Sequence, residues 1–431
     1  MLRIEHITFQ NHFRRGGVLV FLLWIFASQL VSQVSPPVID RIEIEGNERT
    51  RTEYLERFIK MKAGSSVDSL LIENDLRRLR TLAGVGNVRA SVFSFDTISV
   101  LRYHITERYT LLPVGDFGIT EDNFWVGGGA MESNLTGRGI YVYGFYRYNG
   151  NHAFHMIYRD PYVLGSKWGS EIQIKRFPTL ETTGDSIEIL NLFFDVSAAV
   201  RYEFRYENDL LAGLSYREQS YRYKLASDEE IAKDPATERN SIVPFASWEL
   251  SRLDYHDFYV SGWRNTMHAE MAIPVAGAEK LIFLFHEEFR FYTRLGKKGN
   301  FASRILLGFS NEDQTLFSPF IADSYYNFRG IGYRVAKGNA VGLINLEYRF
   351  TLYENKLGGI QSVIFSDTGF LAKSADLTET RMMRNTFHSF AGPGLRLIYK
   401  KAYNAVLSID YGFNLQDLRH RGWVVGWGQY F

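Results

Sequence analysis

The sequence predicts an all-β membrane protein, an antiparallel barrel of about sixteen strands preceded by one small α+β domain. Three observations predict it. After Thr110 apolar and polar residues alternate over stretches of about ten, the period of a strand whose two faces differ. Aromatic residues make up 15% of the 431, with 26 Tyr and 33 Phe against 10 Pro, a mix suited to long strands and aromatic girdles. Ahead of the alternation lies one apolar run whose length suits export.

That run is Val18–Val31 (VLVFLLWIFASQLV), preceded by Arg14 and Arg15 and followed by Ser32, Gln33 and Pro36-Pro37. At ~14 residues it has the length of a signal-peptide core and falls short of the ~20 that a spanning helix needs. Residues 1–33 therefore read as a signal peptide, with an uncleaved membrane anchor as the alternative. No other segment approaches a spanning helix. A membrane crossing must then be made by a closed barrel, because lipid cannot satisfy an open sheet edge.

Residues 38–108 change character. Ile42 and Ile44 alternate with charge before Gly46-Asn47, a strand and a turn. In the second of two helical stretches Ser66 can cap, and Ile72, Leu76, Leu79 and Ala83 recur at 3–4 spacing. Arg77, Arg78 and Arg80 fall on the wet side and read as a solvated face. Gly84 and Gly86 stop the helix, and Val88–Phe95 and Ile98–Ile105 read as strands around Asp96-Thr97. The order is β-α-α-β-β.

Residues 109–431 carry the alternation. Phe194, Val196, Ala198, Val200, Tyr202 and Phe204 interleave with Asp195, Ser197, Ala199, Arg201 and Glu203. Ile344, Leu346, Tyr348 and Phe350 interleave with Asn345, Glu347, Arg349 and Thr351, and Leu407, Ile409, Tyr411 and Phe413 with Ser408, Asp410 and Gly412. A soluble sandwich shows the same period. Strand length, the export signal and full charges such as Glu288 and Arg290 on the polar face favour a barrel with lipid outside and a polar interior. Gly296–Asn300 and Lys400–Asn404 read as short turns; Ala226–Asn240, Asn311–Gly338 and Ala372–Asn385 read as long outer loops.

Composition narrows the chemistry. There is no Cys, which excludes thiol catalysis, Cys-ligated metals and disulfides. Lys and Arg total 49 against 48 Asp and Glu, so no basic excess points to nucleic acid. A mean hydropathy of −0.18 is too low for a helical membrane bundle. Asp367-Thr368-Gly369 has the triplet of aspartic proteases, but no second copy supplies the partner carboxylate. The histidines show no HExxH spacing, and His152 and His155 fall on opposite strand faces. The sequence therefore assigns no catalytic residue, metal or cofactor.

Several punctuation marks resemble the BamA/TamA superfamily of outer-membrane protein assembly and translocation. IEIEGNERT and LRRLRTLAGVGNVRASV resemble a polypeptide-transport-associated (POTRA) domain. Asn134–Gly139 (NLTGRG) looks like the family's NxxGxG turn, Asp160-Pro161-Tyr162 its DPY turn, and Ser251–Gly262 a later periplasmic turn. Phe328-Arg329-Gly330-Ile331-Gly332-Tyr333 resembles the VRGF motif, and Phe365–Gly369 (FSDTG) the FxDxG strand. The resemblance implies that the loop folds into the barrel and that Arg329 pairs with Asp367, beside Gly369, with Glu347 and Glu288 as fallback partners. The closing strand Trp423–Phe431 resembles an outer-membrane insertion signal. Its register gives Phe431 a lipid-facing position with Trp423, Val425 and Trp427. Gly428, Gly426, Gly115 and Gly118 thin the seam with the first strand, Leu111–Ile119, or simply bend it.

The resemblance further implies a barrel in the outer membrane of a diderm bacterium, with the small domain periplasmic. Its partners would be outer-membrane lipids and unfolded outer-membrane or secreted proteins. Periplasmic chaperones or accessory lipoproteins would bind through the small domain. Insertion or translocation without nucleotide or catalysis is the implied function. A dedicated secretion pore and a passive structural barrel are the alternatives. One departure matters: BamA-type insertases carry several POTRA domains and this chain has room for one, which favours an accessory paralogue or specialised translocase.

Overall fold

The computed structural model describes residues 37–431 apart from 96–97, 120–123, 149, 164–166, 184–186, 226–237, 276–279, 333 and 373–386. The signal peptide read over residues 1–33, Tyr333 and most of the two loops at 226–240 and 372–385 lie outside the described residues.

The small domain runs β1 (Arg41–Glu45), α1 (Thr52–Glu56), α2 (Ser69–Arg80), β2 (Val85–Phe95) and β3 (Ile98–Glu107). Its sheet has the order β1-β3-β2, with β1 parallel and β2 antiparallel to the central strand. Leu79 of α2 is buried with Leu55, Leu101, Tyr103 and Ile105, and Ile72 and Leu76 pack against them. The cap differs from expectation. Asp68 accepts hydrogen bonds from the Leu70 and Leu71 N–H groups, while the Ser66 backbone forms an isolated β-bridge with Val38. Ser66 thus lies too early: the helix begins at Ser69, and only Asp68 reaches its free donors.

Sixteen of the remaining strands form one sheet, each hydrogen-bonded to its neighbours in order. β4 (Leu111–Ile119), β5 (Phe124–Leu135), β6 (Ile140–Tyr148), β7 (His152–Asp160) and β8 (Trp168–Thr183) come first. Next come β9 (Ile187–Arg205), β10 (Asn208–Leu225), β11 (Glu238–His256) and β12 (Tyr259–Pro274). β13 (Ile282–Leu295) and β14 (Gly299–Ser310) lead into a long loop carrying a small hairpin, β15 (Phe320–Ala322) and β16 (Ala336–Gly338). The barrel resumes with β17 (Ala340–Glu354), β18 (Gly358–Ala372), β19 (Phe387–Tyr399), β20 (Val406–Asn414) and β21 (Arg421–Trp427).

Alternation sorts the side chains as an inside-out protein requires. On β17 Ile344 is 47% exposed and Leu346, Tyr348 and Phe350 are exposed beside it, whereas Asn345, Glu347, Arg349 and Thr351 are buried. An apolar exterior with a charged interior is stable only against lipid.

The small domain is not a tethered bead. Tyr162, in the turn after β7, belongs to its apolar core, and Tyr206, in the turn after β9, packs on it. Phe58 meets Tyr162 at 6.2 Å and Tyr206 at 5.7 Å between ring centroids. The Arg51 N–H donates to the Gly137 carbonyl at 2.9 Å, and Asn134 Nδ2 donates to Thr50 at 3.0 Å. The arginines of α2 correct the solvated-face reading. Arg77 forks onto Glu207, and Arg80 forks onto Asp254 at 2.8 and 3.0 Å. A helix face that is polar in sequence is wet only if no other element carries its counter-charge, and here the barrel turns do.

Candidate functional site

Inside the barrel the loop between β14 and β17 folds back against the wall formed by β17 to β20. Phe328 anchors it. The ring is buried among Val341, Leu343, Leu371 and Phe390 and stands edge-on to His388 at 5.4 Å, while Ile331 packs on the same cluster. Asp323 and Ser324 hold the tip together: Asp323 Oδ2 accepts from the Arg334 N–H, and Ser324 exchanges bonds with Gly332 in both directions. At Gly330 φ is +94°, and a Cβ there would strike the Gly412 carbonyl. Only glycine permits both that backbone and that approach.

Arg329, one residue earlier, is fully buried. Its Nε and Nη2 donate to Asp367 Oδ2 and Oδ1, each at 2.9 Å, and its backbone N–H donates to Oδ2 at 3.0 Å. Nη1 donates to Glu347 Oε2 at 2.6 Å and reaches Asp410 Oδ2 at 3.5 Å. The guanidinium also lies 3.7 Å from the Phe365 ring centroid and 4.2 Å from that of Tyr430. A bidentate fork capped by two aromatic faces is the strongest setting a protein offers this group.

The cluster extends further than the motif. Arg396 donates to Asp410 at 2.7 and 3.0 Å and to Glu347 at 3.2 Å, and Arg349 Nε donates to Glu347 at 2.6 Å. Asn345 Nδ2 donates to Asp367 at 2.8 Å and to the Asn327 carbonyl. Three guanidiniums thus face three carboxylates. Mutual neutrality is what makes so many buried charges tolerable. Glu288, the other fallback partner, is taken by Arg304 and Arg290 instead.

Sequence reasoning did not single out Asp410, Arg396, Phe365 or Tyr430 as part of the site. The signal was parity: Asp410 sits on the polar face of its strand, and Phe365 shares a face with Asp367. Gly369, opposite Leu343 in the register of β17 and β18, leaves room where a Cβ would meet the Gly342 carbonyl.

The last residues correct a further expectation. Trp423 is 71% and Trp427 63% exposed on the outer face, but Phe431 is 6% exposed and packs with Leu253, Tyr292 and Ala302 inside the barrel. The strand ends at Trp427, and Gly428, at φ +87°, turns the chain inward. The register held only while the backbone stayed extended. Gly428 is thus the bend that sequence left open. Gly115 and Gly426 both have room for a methyl group at ordinary contact distance, so neither is required by crowding. The surroundings of Gly118 lie outside the described residues.

Residues 134–431 match the Omp85 superfamily domain, and residues 37–107 match a POTRA domain described as a surface antigen variable number repeat. No match was found among curated protein sequences. Among solved structures the chain is similar to BamA from Haemophilus ducreyi lacking POTRA domains 1–3, at TM-score 0.54 and 15% identity, covering 90% of this chain and 83% of that one. It is also similar to CdiB from Escherichia coli, at TM-score 0.60 and 13% identity, covering 91% and 76%. CdiB from Acinetobacter baumannii gives 0.56 and 11%, covering 90% and 73%. At these identities the likeness is one of fold, but the domain matches cover most of the sequence: the chain belongs to the Omp85 superfamily, as an outer-membrane β-barrel with one POTRA domain.

Proposed function

We propose that this barrel inserts outer-membrane proteins, or passes protein across the outer membrane, by lending the edges of β4 and β21 to an incoming strand. The observation that carries the reading is the seam. Among the described residues no ladder joins β4 to β21, although every other neighbouring pair in the sheet is laddered. An unpaired edge is a template for another strand, and main-chain hydrogen bonds formed there need no nucleotide and no catalytic group. The pinned loop supports the same reading, since a loop held inside the barrel obstructs passive conduction.

The POTRA domain faces the periplasm in this proposal, over the short turns of the barrel. Unfolded protein, periplasmic chaperones or accessory lipoproteins would approach from that side. Arg329 with Asp367 sets the loop, and β21, with Trp423 and Trp427 in lipid, supplies the moving edge.

The test is a comparison of outer-membrane and secreted proteomes with and without this protein. Broad loss of barrel proteins supports assembly. Loss of one secreted protein replaces it with dedicated export, and unchanged proteomes refute both.

A further inference from the structure

Where the barrel interior meets the POTRA domain lies a cavity of about 280 Å³ walled by both units. Arg80, Arg108, Arg264, Arg290, Arg349 and Lys400 line it, and Asp257 is the one acidic side chain in its walls. Four of the six cations are met by neighbours. Arg80 has Asp254 and Glu73, Arg290 has Glu288, Arg349 has Glu347, and Lys400 takes up Asp257 together with Glu354.

Arg108 and Arg264 are left over. Arg108, in the link between β3 and β4, donates Nη2 to the Val85 carbonyl at 2.6 Å and stands 5.6 Å from the Tyr403 ring centroid. No carboxylate among the described residues lies within ion-pair distance of it, and its Nε is buried without an acceptor. Desolvation pushes this guanidinium below its ordinary range, against the pull of Tyr403 and Asp257. Arg264 is placed worse. The register sets it opposite Arg290, which lies opposite Arg304 in turn. Like charges facing each other across neighbouring strands repel, and Glu288 serves only Arg290 and Arg304 in this row. Glu249, opposite Thr266, stays outside ion-pair distance of Arg264. Arg264 Nε is buried without an acceptor, as are Arg349 Nη1 and Gln429 Nε2 on residues of the same walls.

Two half-buried cations on one cavity are costly unless an anion joins them. Charge and shape narrow its chemistry. A carboxylate brings one charge and two oxygens in a plane. A phosphate monoester carries close to two charges and three strong acceptor oxygens, which can meet donors arriving from separate elements. The cavity is also far larger than a bare ion, and Tyr255, Tyr292 and Tyr403 line it beside the arginines. We propose that it binds a phosphomonoester, with Arg108 and Arg264 gripping the phosphate and the organic remainder lying against those rings. Arg108 belongs to the link between the domains and Arg264 to the barrel wall, so the bound anion ties one to the other. The site is independent of the seam between β4 and β21.

The test is calorimetric titration of the full chain, in phosphate-free neutral detergent, with glycerol 3-phosphate. One saturable site is expected, competed by sulfate. Arg108→Gln and Arg264→Gln should each weaken it about tenfold or more, since each removes one charged fork. Without anion, Arg264→Gln should lose its folded band at no lower temperature than the parent, because it relieves the facing arginines. Nanodiscs containing phosphatidate identify the source: loss of the glycerol phosphate heat there assigns the phosphate to a lipid headgroup, and undiminished heat assigns it to a soluble ester. Four results overturn the proposal: no saturable heat in the parent, unchanged affinity in both variants, a clearly lower temperature for Arg264→Gln, or acetate competing as well as sulfate at equal ionic strength. If Arg264→Gln does not assemble, Arg108→Gln, outside the barrel strands, decides.

Discussion

Removing Arg329 should cost more than removing its main partner, and the structure says why. In Arg329→Ala, Glu347 keeps Arg349 and Arg396, and Asp410 keeps Arg396. Asp367 keeps only neutral donors, the Asn345 amide and the backbone N–H of residue 329. One buried carboxylate is left without a counter-charge, and breaking such a pair costs about 3–5 kcal/mol. In Asp367→Ala, Arg329 retains Glu347 at 2.6 Å and Asp410 at 3.5 Å, which puts the cost near the bottom of that range, about 3 kcal/mol. With Asp367 already gone, deleting Arg329 strands no carboxylate, so the double mutant should resemble Asp367→Ala alone rather than the sum. The assay is native-state proteolysis of the 311–338 loop with an enzyme that cuts at apolar residues, so that Arg329 is not itself a cleavage site. Where opening and closing outpace cleavage, the rate follows the open population, and 3 kcal/mol corresponds to an increase of about a hundredfold. Arg329→Lys should fall between, keeping charge but losing the fork. Cleavage rates within about threefold of the parent for both single mutants, or strictly additive effects, would refute the pinned-loop account.

Two further expectations come from contacts outside the motif. Arg77→Ala and Arg80→Ala should each weaken the docking of the POTRA domain by about 1.5–3 kcal/mol, read as faster hydrogen exchange in the segment around Tyr54–Phe58; unchanged protection would mean that the aromatic contacts alone hold the domain. Phe431→Ala should destabilise the assembled barrel by roughly 3 kcal/mol, seen as a lower temperature for loss of the folded band on heating, and an unshifted temperature would place the ring outside the packed interior.

What could be read in the sequence, and what could not, divides along a physical line. The barrel was legible because a strand in lipid must put Ile344, Leu346, Tyr348 and Phe350 on one face, while Asn345, Glu347 and Arg349 need somewhere wet or paired. That constraint is local and repeats every two residues. Arg329 and Asp367 were legible only through the resemblance; no spacing brings residues on a loop and a wall strand together. The arginines of α2 were misread because a periodicity reports which way a face points, never what waits there, and Glu207 and Asp254 lie on barrel turns far along the chain. Phe431 failed for a different reason. Parity counts residues correctly only while the backbone stays extended, and one glycine at positive φ reverses every direction after it.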